Sequence, residues 1–113
     1  MLARGGRKVI LLERDQFPRF HIVESLLASA NDAFDALGVQ EKVRAMNFPE
    51  KWGATFGTGD GAMELYAGFA EPGGVPQPQT WQVERAKFDK MLLDHAQESG
   101  ADVRQGHRVT EAT

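Results

Sequence analysis

Lys8-Val9-Ile10-Leu11-Leu12-Glu13-Arg14-Asp15 is the stretch on which the fold turns. Its four consecutive apolar residues, Val9 to Leu12, lie between Gly5-Gly6 and a charged tail, the pattern of a strand buried on both faces of a parallel sheet. Four residues are far too few to span a membrane. In a dinucleotide-binding βαβ unit, an acid closing the second strand accepts hydrogen bonds from ribose hydroxyls, typically about 20 residues beyond a glycine fingerprint. Glu13 stands where that acid belongs, although a charged residue closing a strand is also simply where a chain meets water. On this pattern the first strand and its glycine loop are expected upstream of Met1.

Composition limits what else the chain does. Its 113 residues, 42% hydrophobic, suffice for one modest core. Thirteen basic residues against sixteen acidic give a net charge of -3, which argues against a nucleic-acid or anionic-membrane partner. Arg4, Arg7, Lys8, Arg14 and Arg19 crowd the start, but Glu13 and Asp15 interrupt them. Without cysteine there is no disulfide, thiolate or Fe–S chemistry, which suits a cytoplasmic setting. His21, His95 and His107 are too scattered to form a local metal motif. The first residues lack the apolar core of a secretory signal.

The remaining elements alternate. Phe17-Pro18-Arg19-Phe20-His21 is expected to be irregular, because proline disfavours helix in its predecessor. A helix is expected over Glu24–Leu37, with Leu26, Leu27, Ala30, Phe34 and Leu37 on one face and Gly38 as its stop. A short helix, Gln40–Met46, follows. Between Trp52 and Trp81 the texture is glycine-rich. Ala54-Thr55-Phe56 and Met63 to Phe69 are candidate strands around Thr58-Gly59-Asp60-Gly61, a hairpin signal. Glu71 to Gln79 is expected to form an exposed loop and Thr80 to Val83 another strand. Phe88, Met91, Leu92 and Ala96 line a helix from Arg85 to Ser99, stopped by Gly100. Ala101-Asp102-Val103-Arg104 then begins a strand, and His107-Arg108-Val109 the next.

Four ordered blocks carry a resemblance. Leu2 to Arg14, Phe17 to Leu27, Lys51-Trp52-Gly53-Ala54-Thr55-Phe56 and Gln82-Val83-Glu84-Arg85-Ala86-Lys87-Phe88-Asp89 resemble the flavin-dependent halogenases, a tryptophan halogenase-like branch of the FAD-dependent monooxygenase superfamily. The order of the blocks is far more specific than any one of them. The resemblance implies a mixed α/β fold: a partial FAD-binding Rossmann-like domain with an inserted antiparallel sheet, truncated at both ends. Residues 1–50 and 82–113 would form the nucleotide-binding part, and 51–81 the start of a substrate-side sheet.

Site roles follow from the same resemblance, position by position. Glu13 binds the FAD ribose, and Arg14 and Arg19 lie near the adenosine or diphosphate. Glu24 and Ser25 approach the flavin, and Arg85 binds the cofactor from the start of the long helix. Arginine suits that task because its permanent charge and planar donors match phosphate oxygens. Lys51 would be catalytic, handling hypohalous acid made at the flavin: an ammonium can donate a hydrogen bond to the oxidant, and a desolvated amine can attack it. Surface lysine and solvated helix-start arginine are the ordinary alternatives for Lys51 and Arg85.

The implied reaction uses reduced flavin, oxygen and halide to deliver electrophilic halogen to a small organic substrate, with a flavin reductase as partner. A flavin monooxygenase or a polyprenyl reductase would use the same cofactor site without halogen. A non-catalytic remnant is the third reading, with an apolar strand edge at Val9 to Leu12 open to self-association.

Two departures stand out. Val23 occupies the place where the family pattern has glycine, which permits backbone geometry that a β-branched residue resists. The diphosphate-binding glycine fingerprint is not among these residues. Trp52 and Trp81, isolated from any Trp-x-Trp motif, are expected to pack the sheet.

Overall fold

The computed structural model describes residues 1–70 and 78–112. In chain order the strands are β1 (Ile10–Glu13), β2 (Glu50–Lys51), β3 (Gly53–Gly57), β4 (Glu64–Gly68), β5 (Thr80–Trp81) and β6 (Asp102–Gln105). The helices are α1 (Ala30–Leu37), α2 (Gln40–Ala45) and α3 (Arg85–Glu98), after a 3-10 turn at Ala3–Gly5. The chain forms two compact units, Met1–Val23 with Glu84–Thr113, and Glu24–Val83.

In the first unit β1 and β6 are parallel, with Leu11 opposite Val103 and Glu13 opposite Gln105. Parallel neighbours need a crossover; here it is long, with α3 as its last element before β6. Phe88, Leu93 and Ala101 are buried there. β1 differs from its expected burial on both faces. Ile10 and Leu12 are 58% and 45% exposed, because alternate side chains of a strand point to opposite faces and, among the described residues, β6 is the only strand paired with β1. Gly100, at φ +94°, turns the chain from α3 into β6. His107-Arg108-Val109 does not become a strand; after Gly106 at φ +73° the His107 N–H turns back to the Glu13 carbonyl at 2.9 Å.

The second unit is organised by the segment 80–83. Its backbone bonds point alternately to two sides, as strand geometry requires. The Gln82 N–H reaches the Pro49 carbonyl, while the Val83 N–H reaches Glu24 O and Trp81 O receives the Leu26 N–H. Residues 24–26 and 49–51 therefore flank it, with Ser25 bridging Gln82 and Lys51 opposite Thr80. This pairing corrects the expected helix over Glu24–Leu37. Residues 24–26 use their backbone groups across the sheet, so the helix begins only at Ala30.

Phe34, Val39, Val43, Phe48, Trp81 and Val83 form the buried core of this unit, with the Phe34 and Trp81 ring centroids 6.2 Å apart. Gly38 ends α1 in the left-handed conformation expected of it. Trp81 packs as expected, whereas Trp52 is 53% exposed and its indole N–H donates to Glu50.

The hairpin signal is realised in β3 and β4, antiparallel with Phe56 opposite Leu65. Its turn is held by Asp60, whose carboxylate accepts from the Thr58 hydroxyl and the Ala62 N–H. Those two bonds hold the Asp60 carboxyl below the usual carboxylate range. Tyr66 explains the glycine that opens β3: a Cβ on Gly53 would lie 2.5 Å from the Tyr66 hydroxyl and 2.6 Å from the Ala67 carbonyl oxygen. Most of the loop expected over Glu71–Gln79 lies outside the described residues.

Candidate functional site

Two clusters, one in each unit, hold the site residues expected from the sequence other than Glu24. In the first unit Glu13 closes β1 at its carboxyl end, where open α/β sheets bind ligands. One carboxylate oxygen of Glu13 accepts the Asp15 N–H at 2.9 Å, and the other lies 3.8 Å from the Arg19 guanidinium. It opens on a cleft of ≈ 400 Å³ whose lining includes Arg14, Asp15, Arg19, His21 and His107. A carboxylate with an acceptor oxygen facing such a cleft fits a ribose diol. The same carboxylate would repel a 2′-phosphate.

The arginines are tied to carboxylates. Arg14 is exposed and grips Asp15 through two nitrogens, at 3.1 and 3.4 Å. That contact lowers the Asp15 carboxyl. Arg19 stacks over the Phe17 ring at 4.4 Å and donates to Asp89 at 2.9 Å. Arg85 makes a two-pronged pair with the same Asp89, at 2.8 and 3.0 Å, one helical turn along α3. Asp89 is thus shared by both. Burial works to raise its carboxyl, but hydrogen bonds from Arg85 and Arg19 outweigh it and hold the group below the usual carboxylate range.

Arg85 also holds the backbone ahead of it. Its Nη1 donates to the carbonyls of Ile22 at 2.7 Å and Val23 at 3.2 Å. Val23 sits at φ +72°, a left-handed conformation that is an outlier for a β-branched residue. The position where the resembled family has glycine is therefore one where the backbone itself favours glycine.

In the second unit, Lys51 and Ser25 meet. Lys51 Nζ donates to Ser25 Oγ at 2.6 Å and to the Leu26 carbonyl at 3.3 Å, and lies 5.3 Å from the centre of the Phe69 ring. The Phe69 N–H bonds to Trp52 O, which fixes the ring's backbone beside Lys51. Glu24 is exposed, and its carbonyl accepts the Val83 N–H.

Sequence reasoning missed Asp89 and Phe69 as members of these clusters. Asp89 had a signal, since it lies four residues after Arg85 on a helix. Phe69 had none, because its approach to Lys51 depends on chain reversal at the hairpin. Among the described residues there is no group of acids and histidines able to hold a metal, and no helix long and apolar enough to cross a membrane.

Comparison with known proteins gives a consistent picture. A family described as FAD binding domain matches residues 1–113. The chain is 40% identical over 109 residues to the flavin-dependent halogenase armH3 of Armillaria mellea, covering 96% of this chain and 21% of that protein. It is 33% identical over 126 residues to a 1H-pyrrole-2-carbonyl-[peptidyl-carrier protein] chlorinase of Pseudomonas fluorescens, covering 97% of this chain and 28% of the relative. Among solved structures it is similar to the myxobacterial chondrochloren halogenase CndH, with TM-score 0.85 and 38% identity over 96% of this chain and 25% of that one. A flavoprotein/dehydrogenase from Cytophaga hutchinsonii gives TM-score 0.86 and 36% identity over 97% of this chain and 27% of that one. The chain thus spans between a fifth and a third of the length of these relatives.

Proposed function

The chain belongs to the FAD binding domain family, and from that premise we propose that it supplies part of the cofactor site of a halogenase-like flavoenzyme. The observation that carries the cofactor assignment is Glu13, closing a parallel strand onto an open cleft. There it would receive the ribose hydroxyls of FAD. Arg14 and Arg19 would flank the adenosine and diphosphate, and Glu24, Ser25 and Arg85 would face the cofactor. Because Arg19 and Arg85 share Asp89, their contribution is a fixed donor array more than an unneutralised charge. When bound, reduced flavin with oxygen and halide supplies hypohalous acid. Lys51 would hold that oxidant by donating a hydrogen bond, or as the neutral amine exchange one N–H proton for its halogen with release of water, and direct the halogen to a small organic substrate.

The halogen assignment draws on the relatives that are named halogenases. It is tested with a polypeptide of the relatives' length that contains residues 1–113, supplied with reduced flavin, oxygen and bromide. Brominated product lost on Lys51→Ala is the expected result, and an unchanged yield removes Lys51 from the chemistry. A second reading, flavin-dependent oxidation or reduction without halogen, is favoured by the likeness to the flavoprotein/dehydrogenase. It predicts bromide-independent turnover of the same polypeptide.

A further inference from the structure

We propose that Ser25 is a positioning residue for Lys51: its hydroxyl, with the Leu26 carbonyl and the Phe69 ring, holds the Lys51 ammonium in one geometry at the open edge of the sheet. This rests on the proposal that Lys51 handles hypohalous acid, and it adds a contact with the lysine to the place beside the cofactor proposed for Ser25.

Sheet topology brings the two together. Ser25 and Lys51 belong to segments on opposite sides of residues 80–83, and adjacent strands lie about 4.8 Å apart. Only a long side chain spans that central segment, and the four-carbon stem of lysine does so. An ammonium has three donors and no acceptor. Here two oxygens, at 2.6 and 3.3 Å, and one aromatic face match that number.

The three partners differ in how easily they yield. The Leu26 carbonyl belongs to backbone whose N–H is already paired with Trp81, and the Phe69 backbone is tied to Trp52. Ser25 is exposed, and its small hydroxyl rotates about a single bond without moving the backbone. Rotation of Ser25 therefore releases one Lys51 N–H toward whatever reaches the sheet edge, while Leu26 and Phe69 keep the nitrogen in place. Ser25 acts through Lys51 and need not touch the oxidant.

The test is trace acetylation of the 113-residue chain with acetic anhydride, read by peptide mass spectrometry as the ratio of Lys51 to the exposed Lys8. Ser25→Thr keeps the hydroxyl, and Ser25→Val has the same shape without it. Both residues favour an extended backbone. Lys51 in the wild-type chain and in Ser25→Thr should label at least about tenfold less than Lys8, the scale of a charge-assisted hydrogen bond. In Ser25→Val the Lys51 ratio should rise several-fold while the other lysines stay unchanged. Equal Lys51 ratios in the Thr and Val variants would overturn the proposal. So would wild-type Lys51 labelling as fast as Lys8, which decides the matter even where a variant fails to fold. Failure of the unsubstituted longer polypeptide to brominate would refute the halogen chemistry without altering this ratio, so the two failures are separable.

Discussion

Arg85 donates from one guanidinium nitrogen to the carbonyl of Val23 at 3.2 Å, and Val23 is held at φ +72°. The contact fastens a β-branched residue in a conformation that costs it about 1–3 kcal/mol. It also ties the start of the long helix to the end of the N-terminal segment of the same compact unit.

Replacing Val23 by glycine should therefore stabilise the protein. Val23 is 62% exposed, so little burial is lost, while the relieved strain exceeds the roughly 0.5–1 kcal/mol of added unfolded-chain entropy. A rise of a few degrees in thermal midpoint is expected for a gain of about 1 kcal/mol. A fall would mean that the valine side chain makes a contact worth more than the strain.

Replacing Arg85 by lysine should be costly despite retained charge. A lysine cannot reproduce the two-pronged grip on Asp89 together with bonds to two carbonyls. Denaturant unfolding should show a loss of about 2–4 kcal/mol, the scale of one or two hydrogen bonds to charged groups. A loss below half a kcal/mol would show that the array is not formed in solution.

Asp89 gives the array a pH signature. Its carboxyl is lowered in the folded protein, so the stability it contributes is fully present above the ordinary carboxylate pKa of about 3.9. It is lost as pH falls through the lowered folded value. Thermal midpoints measured from about pH 5 down to pH 2 should fall more steeply for the wild type than for Asp89→Asn. Parallel curves would contradict the shared ion pair.

Gly53→Ala should damage the hairpin. The new methyl would meet the Tyr66 hydroxyl and, less avoidably, the Ala67 backbone oxygen; forced overpacking of this kind costs about 1–3 kcal/mol. Gly59→Ala, with nothing within 4 Å of its Cβ, is the matched control. Equal stability of the two variants would show that Tyr66 does not lie over β3.

Much of this was legible in the sequence wherever local rules decide the outcome. The apolar run at Val9 to Leu12, the Asp60-Gly61 turn and the apolar face of α3 each point to the element that forms. The failure at residues 24–29 has a physical cause. Leu26 and Leu27 fit a helical period, but the open backbone edge of residues 80–83 competes for Glu24 and Leu26 and wins. Glu13 does close a strand, as its place after the apolar run suggested, and the Val23 backbone is one that favours glycine. The meeting of Lys51 with Ser25 could not be foreseen, because it arises from two segments paired to a third far along the chain.

Glu13 as the cofactor's ribose acceptor is open to direct measurement by amide chemical-shift mapping of the 113-residue chain with FAD at millimolar concentration. Without the glycine fingerprint binding should be weak, so that the purified chain is colourless. Even so, shifts should cluster at Glu13, Arg14, Arg19 and His107 around the cleft and vanish in Glu13→Ala. Shifts scattered over the surface, or a cluster that survives Glu13→Ala, would contradict it.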